Sequence, residues 1–235
     1  MTDYSYIDRN VESLRERIRR AAEAAGRSEQ GITLLAAVKY AEADEIRRLK
    51  ECGIVTVGEN RVQQFVEHTE CGALTGMGVH FIGTLQTNKV KYLAGKVSCI
   101  ESVDSEKLAA EIDKQSKKVG AVTDVLCEIN CGREESKSGV FPERAEEFFE
   151  KLMGFENLRL RGFMTMAPAG LSSAEYRKYF SETYRLAIDI WQKNIHNIRG
   201  DIDPVISMGM SGSFEEAILE GATLVRVGRS LFEKN

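Results

Sequence analysis

Eight apolar runs of strand length, each followed by a segment of helical character, predict an α/β fold: a single (β/α)8 (TIM) barrel with an extra N-terminal helix. The runs are continuous rather than alternating, as strands covered on both faces must be. They recur along the whole chain with no linker or low-complexity break, so residues 1–235 read as one domain. A length of 235 residues suits one barrel. A doubly wound open sheet permits the same alternation and is the alternative.

The first element is the extra helix. In "YIDRNVESLRERIRRAAEAAG", Ile7, Val11, Leu14, Ile18 and Ala22 recur at three- and four-residue spacing, and Gly26 follows as a C′ residue. Its other face carries Arg15, Glu16, Arg19 and Arg20, a solvated surface. The strands then read "ITLLAAVK", "IVTVGEN", "VHFIG", "VSCIESV", "VTDVLCEIN", "LRLRGFMTMA", "DPVISMG" and "ATLVRVG". The helices between them read "ADEIRRLKECG", "RVQQFVEHTE", "QTNKVKYLAG", "SEKLAAEIDKQSKKVG", "PERAEEFFEKLMGF", "SSAEYRKYFSETYRLAIDIWQKNI" and "SFEEAILEG"; "RSLFEKN" follows the last strand.

Composition excludes several classes. The formal charge is −4 with both signs interspersed, which is not the basic stripe of a nucleic-acid binder. No run reaches membrane-span length and the N-terminus lacks a signal-peptide core, so a cytoplasmic protein is expected, with no membrane and no nucleic-acid partner. Five scattered cysteines suit reduced thiols, and Cys127 and Cys131 lack the neighbouring ligands of a zinc site. No helix face is obviously left over, so a monomer is expected.

In such barrels the site lies at the C-terminal ends of the strands, and the loops after strands seven and eight often bind phosphate. Here those loops are "SMGMSGS" and "VGRS". Gly209 and Gly212 allow close backbone approach, and Ser207, Ser211 and Ser213 offer hydroxyls. Ser213 with Glu216 also reads as a capping box that needs no ligand. Gly228 and Arg229 add a second approachable backbone and a cation next door, which favours the anion reading. Lys39 ends an apolar strand. It reads either as a solvated terminus or as an amine able to form a Schiff base with an aldehyde. Arg226 lies inside an apolar run, so it needs a partner: Glu101, Glu128 or a ligand acceptor. Asn60 reads as a helix cap or as a ligand contact within the polar cluster Glu59, Asn60, Arg61 and Gln63. "NCGREESKSG" reads as a polar rim loop.

These residues carry a resemblance. The stretches "AAVK", "VGENRVQQ", "HFIGTLQTNK", "ESKSG", "GFMTMAP", "SMGMSGSFEEAI" and "GATLVRVGRSLF" resemble the pyridoxal phosphate (PLP) homeostasis protein family, whose barrel is similar to that of alanine racemases. The resemblance implies a PLP site. Lys39 matches the lysine that carries PLP as a Schiff base. Ser211, Gly228 and the Arg229 backbone match the phosphate cradle, shaped by Ser207 and Gly209. Arg226 matches the arginine facing the pyridine nitrogen, Asn60 the asparagine near the ring oxygen, and Met164 and Met208 residues that line the ring. It further implies buffering and supply of PLP, with PLP-dependent apoenzymes as acceptors. Three positions depart from the pattern: Val38 stands where a serine is common, Val79 where a tryptophan is, and Thr84 where a histidine is. The last two bear on rim contacts.

An arginine at the pyridine nitrogen makes the ring a weak electron sink, which suits a carrier better than a catalyst. Racemisation would also need an acid/base on the opposite face. The tyrosine that serves there in two-domain alanine racemases comes from a domain for which no sequence is present after "RSLF". A non-catalytic carrier is therefore the expected function. The alternatives are a low-activity amino-acid racemase and a barrel enzyme acting on a sugar phosphate.

Overall fold

In a computed structural model that describes residues 3–198 and 203–234, eight parallel strands close into a barrel in sequence order. The strands are β1 (Thr33–Ala37), β2 (Thr56–Glu59), β3 (Gly78–Phe81), β4 (Cys99–Val103), β5 (Thr123–Ile129), β6 (Leu158–Thr165), β7 (Val205–Ser207) and β8 (Leu224–Val227). Helices α1 (Ser5–Ala24), α2 (Ala43–Glu51), α3 (Val62–Glu70), α4 (Glu106–Lys118), α5 (Ala145–Met153), α6 (Ser173–Asn194), α7 (Phe214–Leu219) and α8 (Arg229–Phe232) complete the chain. Closure is made by β1 against β8, with Leu35 opposite Arg226 and Ala36 opposite Val227. The doubly wound alternative is thereby set aside.

Alternation along each strand divides the buried residues into two sets. Ala36, Val57, Val79, Phe81, Cys127, Phe163, Ile206, Val225 and Val227 join one continuous core shared with the helices. Within it Phe149 of α5 stacks on Phe163 of β6, with ring centres 5.0 Å apart. The opposite set fills the barrel interior. It includes a small apolar layer of Cys99, Leu126 and Met164, against which Val205 packs.

The N-terminal helix behaves as its spacing predicts. Ile7, Val11, Leu14, Ile18 and Ala22 are buried. Gly26 takes φ +65° just past the end, and the Arg27 amide donates back to the Ala22 carbonyl, a Schellman stop. Tyr6 donates its hydroxyl to Glu45 and so ties α1 to α2.

Two local expectations fail. "QTNKVKYLAG" forms a six-residue 3-10 helix, Thr87–Tyr92, instead of an α-helix. Its buried side chains are Val90, Leu93 and Ala94, too few for a stripe along an α-helical face. The Ser213–Glu216 capping box does not form: Ser213 precedes α7 but accepts from the Met210 amide at 3.3 Å. The hydroxyl closes the loop after β7 rather than the helix. Capping boxes do form at Glu42–Glu45 and Ser172–Glu175.

Candidate functional site

The loops after β7 and β8 meet at the C-terminal end of the barrel. Ser211 accepts a hydrogen bond from the Gly228 amide at 3.2 Å. Gly228 lies against β1: a Cβ built on it would stand 3.0 Å from the Ala37 carbonyl oxygen. Gly209 holds φ +87°, and a Cβ there would meet Ala217 of α7 at 2.5 Å. The loop can therefore lie flat on α7 only with glycine at this position. Gly209 also accepts from the Arg226 amide at 3.0 Å, which ties the β7 loop to β8.

Lys39 follows β1 by two residues and is half-buried. Ala36 belongs to the outer core, so Leu35 and Ala37 share the inward register, and Lys39 stands in the turn that follows β1. Its ammonium lies over the Tyr40 ring, 5.2 Å from the ring centre. Its carbonyl accepts from Gln64 Nε2 at 2.6 Å, so α3 fixes the backbone that bears the amine. Gln64 was not read from the sequence, which drew attention to Gln63 instead. Gln63 is exposed, and only the rotational setting of α3 separates the two.

The barrel interior holds one connected polar system. Arg226 is 4 % exposed. It donates from Nη1 to Ser207 Oγ at 2.6 Å and from Nη2 to the Thr165 carbonyl at 2.8 Å. Ser207 in turn donates to Glu101 Oε2 at 2.6 Å. The other Glu101 oxygen bonds His80 Nδ1 at 2.6 Å. Arg226 reaches Glu101 itself only at 3.9 Å. Burial alone would push the Glu101 carboxyl up; His80, the Arg226 guanidinium and Ser207 together hold it below the ordinary carboxylate range. Burial also draws the guanidinium down, against the pull of Glu101 and Glu128. The charge that sequence reasoning found inside an apolar run thus has its partner, through a serine.

Among the described residues, four buried oxygens near the C-terminal ends of β2 and β5 have no hydrogen-bond partner: Glu59 Oε2, Asn60 Oδ1, Gln64 Oε1 and Glu128 Oε2. Asn60 caps nothing, because Arg61 occupies the N-cap position of α3 and no side chain caps that helix. Glu59, grouped with Asn60 by sequence, ends β2 and bonds His68 of α3 at 2.6 Å, away from the interior.

The remaining expected residues separate. Met164 lies in the interior layer. Met208, one residue past inward-facing Ser207, is fully buried in the outer core and is not brought together with them. Arg229 is exposed, so it contributes backbone to the start of α8 and no buried cation. Val38 and Val79 are likewise buried in the outer core, so neither is a rim residue. Thr84 is a rim residue: its hydroxyl meets Ser138 at 3.1 Å and joins the loops after β3 and β5. The latter loop is also held by Asn130, which donates to the Glu134 carbonyl at 2.8 Å.

Residues 9–235 match the family model for the N-terminal domain of alanine racemase. A pyridoxal phosphate homeostasis protein of Aquifex aeolicus is 44% identical over 217 residues, covering 92% of this chain and 93% of the relative. The chain belongs to the pyridoxal phosphate homeostasis protein family. Another member, from Escherichia coli K12, is 33% identical and covers 96% of this chain and 95% of its own. Among solved structures, PipY of Synechococcus elongatus PCC7942 with PLP bound superposes with a TM-score of 0.82 at 28% identity, over 97% of this chain and all of that one. An alanine racemase from Clostridium difficile 630 shares the fold, with a TM-score of 0.71 at 18% identity; 57% of its length is covered. The family's barrel is thus present here in full. Among the described residues no helix is long and apolar enough to cross a membrane.

Proposed function

We propose that this chain binds PLP at the C-terminal end of its barrel, holds it as a Schiff base of Lys39, and buffers and supplies it without turning over a substrate. One observation carries the reading: Gly228, bonded to Ser211, lies against Ala37, the last residue of β1 and two residues before Lys39. This closeness supports a reading in which the loops after β7 and β8 and the turn after β1 serve one ligand. The buried polar atoms left without partners fit the same ligand. Asn60 Oδ1 needs a donor, and a bound ring hydroxyl is one. The names of the relatives and the PLP in PipY support the assignment.

PLP when bound supplies an aldehyde that condenses reversibly with a primary amine. Every other contribution belongs to the chain. Ser211, with a rotatable hydroxyl, and the Gly228 amide exchange their mutual hydrogen bond for phosphate oxygens. Gln64 fixes the Lys39 backbone. Arg226 presents a donor that stays protonated and so has no proton to give, while Ser207 and the Thr165 carbonyl hold its orientation. This arrangement retains a ligand and withholds the proton that would make its ring a strong electron sink.

The test is spectroscopic. Purified protein titrated with PLP gains the absorbance of a lysine adduct, Lys39→Ala does not, and amino acids added in D2O gain no deuterium at Cα. Rapid deuterium exchange at Cα would replace the carrier reading with a racemase one. Phosphate-ester binding with no adduct would replace it with the sugar-phosphate reading.

A further inference from the structure

Glu128 is buried, charged by composition, and used by nothing described above. It is the sixth residue of β5, two residues beyond Leu126 of the interior layer, and so shares that inward register. Its neighbours Cys127 and Ile129 lie in the outer core. The residue is 2 % exposed, yet Oε2 has no hydrogen-bond partner. A buried oxygen left unpaired costs about 1–3 kcal/mol, so its persistence calls for a group that satisfies it. The strand opposite offers Met164, which cannot. The charged groups that act on it are Asp104, just past β4, and Arg226 of β8. Arg226 is already committed to Ser207 and the Thr165 carbonyl.

We propose that Glu128 is a ligand-contacting residue of the cofactor site, whose protonated carboxyl accompanies an anionic ligand bound beside Arg226 and whose ionised form opposes it. The inference rests on the PLP-site reading. Burial and then the Asp104 charge push the Glu128 carboxyl up to about 7, against the opposing pull of Arg226. Near neutrality the pocket therefore exists in two charge states. The sign follows from linkage: a ligand that carries phosphate favours the proton-bound state, so binding takes up a proton above about pH 7 and affinity falls as pH rises. One proton allows at most about a tenfold change per pH unit. Glutamine keeps the shape and the donor but cannot ionise, so Glu128→Gln removes the response while preserving the contact.

The probe is pyridoxine 5′-phosphate, which lacks the aldehyde and so leaves Lys39 chemistry out. Its affinity is measured from pH 6 to pH 9 for the unmodified protein and for Glu128→Gln. Ligand titrations are common to both and cancel in the ratio. The expected ratio of affinities, variant over unmodified, is near one at the acid end and rises several-fold by pH 9. Calorimetry of the unmodified protein in two buffers of different ionisation heat gives an independent reading: net proton uptake above pH 7. Identical pH profiles, or binding without proton uptake, would overturn the role of Glu128 and leave the PLP site standing. No binding by the unmodified protein at any pH would overturn the site and this inference with it.

Discussion

The Gly228 amide donates to the Ser211 hydroxyl oxygen across 3.2 Å. Two loops from adjacent strands are thereby held together. Ser211→Ala would take one hydroxyl from the proposed phosphate site and leave a half-buried amide that water can serve. The expected result is about a tenfold loss of PLP affinity, ~1.4 kcal/mol, with little change in melting temperature. Equilibrium dialysis and a thermal melt check the two halves separately.

Gly209 is a position where shape alone decides. Alanine there would combine a φ of +87° with a Cβ 2.5 Å from that of Ala217. The backbone strain and the clash together cost about 2 kcal/mol or more. For a chain of this size that lowers the melting temperature by roughly 4–8 °C. Because the loop must shift, PLP affinity falls as well, unlike in Ser211→Ala.

Arg226→Met tests the interior polar system. Removing the guanidinium leaves Glu101 with His80 and Ser207 alone, at a cost of about 3–5 kcal/mol at neutral pH. The pH sign is set by Glu101. Its folded-state carboxyl lies below the ordinary value, so the stability it contributes is present above about 4.5 and is lost as pH falls through the folded value. Without Arg226 the folded value rises, and acid unfolding begins at higher pH. Denaturant melts from pH 3 to pH 7 read this shift directly.

Glu128 has the opposite sign. Its folded carboxyl is raised to about 7, so the folded state binds the extra proton between about 4.5 and 7, and stability falls as pH rises through that window. Glu128→Gln therefore gains stability relative to the unmodified protein at pH 8, by at most ~3 kcal/mol, and the gain vanishes near pH 4.

Gln64 is a positioning residue. Gln64→Leu frees the Lys39 carbonyl and loosens the segment that bears the amine. The expected signature is a split: affinity for pyridoxine 5′-phosphate is unchanged, while the lysine adduct with PLP forms about fivefold more slowly or less completely. Stopped-flow absorbance separates these effects. Equal losses in both would mean that Gln64 supports the fold alone.

Much of this was legible in the residues. Continuous apolar runs announce strands covered on both faces, and the three- and four-residue spacing of Ile7 to Ala22 places α1. Arg226 inside an apolar run signals a buried partner, because an unpaired charge there is too costly. That Glu101 is the partner was open, since Ser207 and Glu101 lie 106 residues apart and only barrel closure brings them together. Gln64 was missed because period alone does not fix the rotation of a short helix to one residue. Met208 lies in the outer core because, past a strand that ends at Ser207, one step along the chain exchanges interior for outer core. Thr87–Tyr92 has the residues of a helix but too few buried positions to require one.

In the proposed site one amine, just past the end of β1, holds the cofactor. Borohydride reduction of the PLP-loaded protein, followed by peptide mapping, shows which lysine carries it. The expected result is a single pyridoxyl label on Lys39, absent from Lys39→Arg. A label confined to another lysine, or none on a protein that binds PLP, would overturn this assignment.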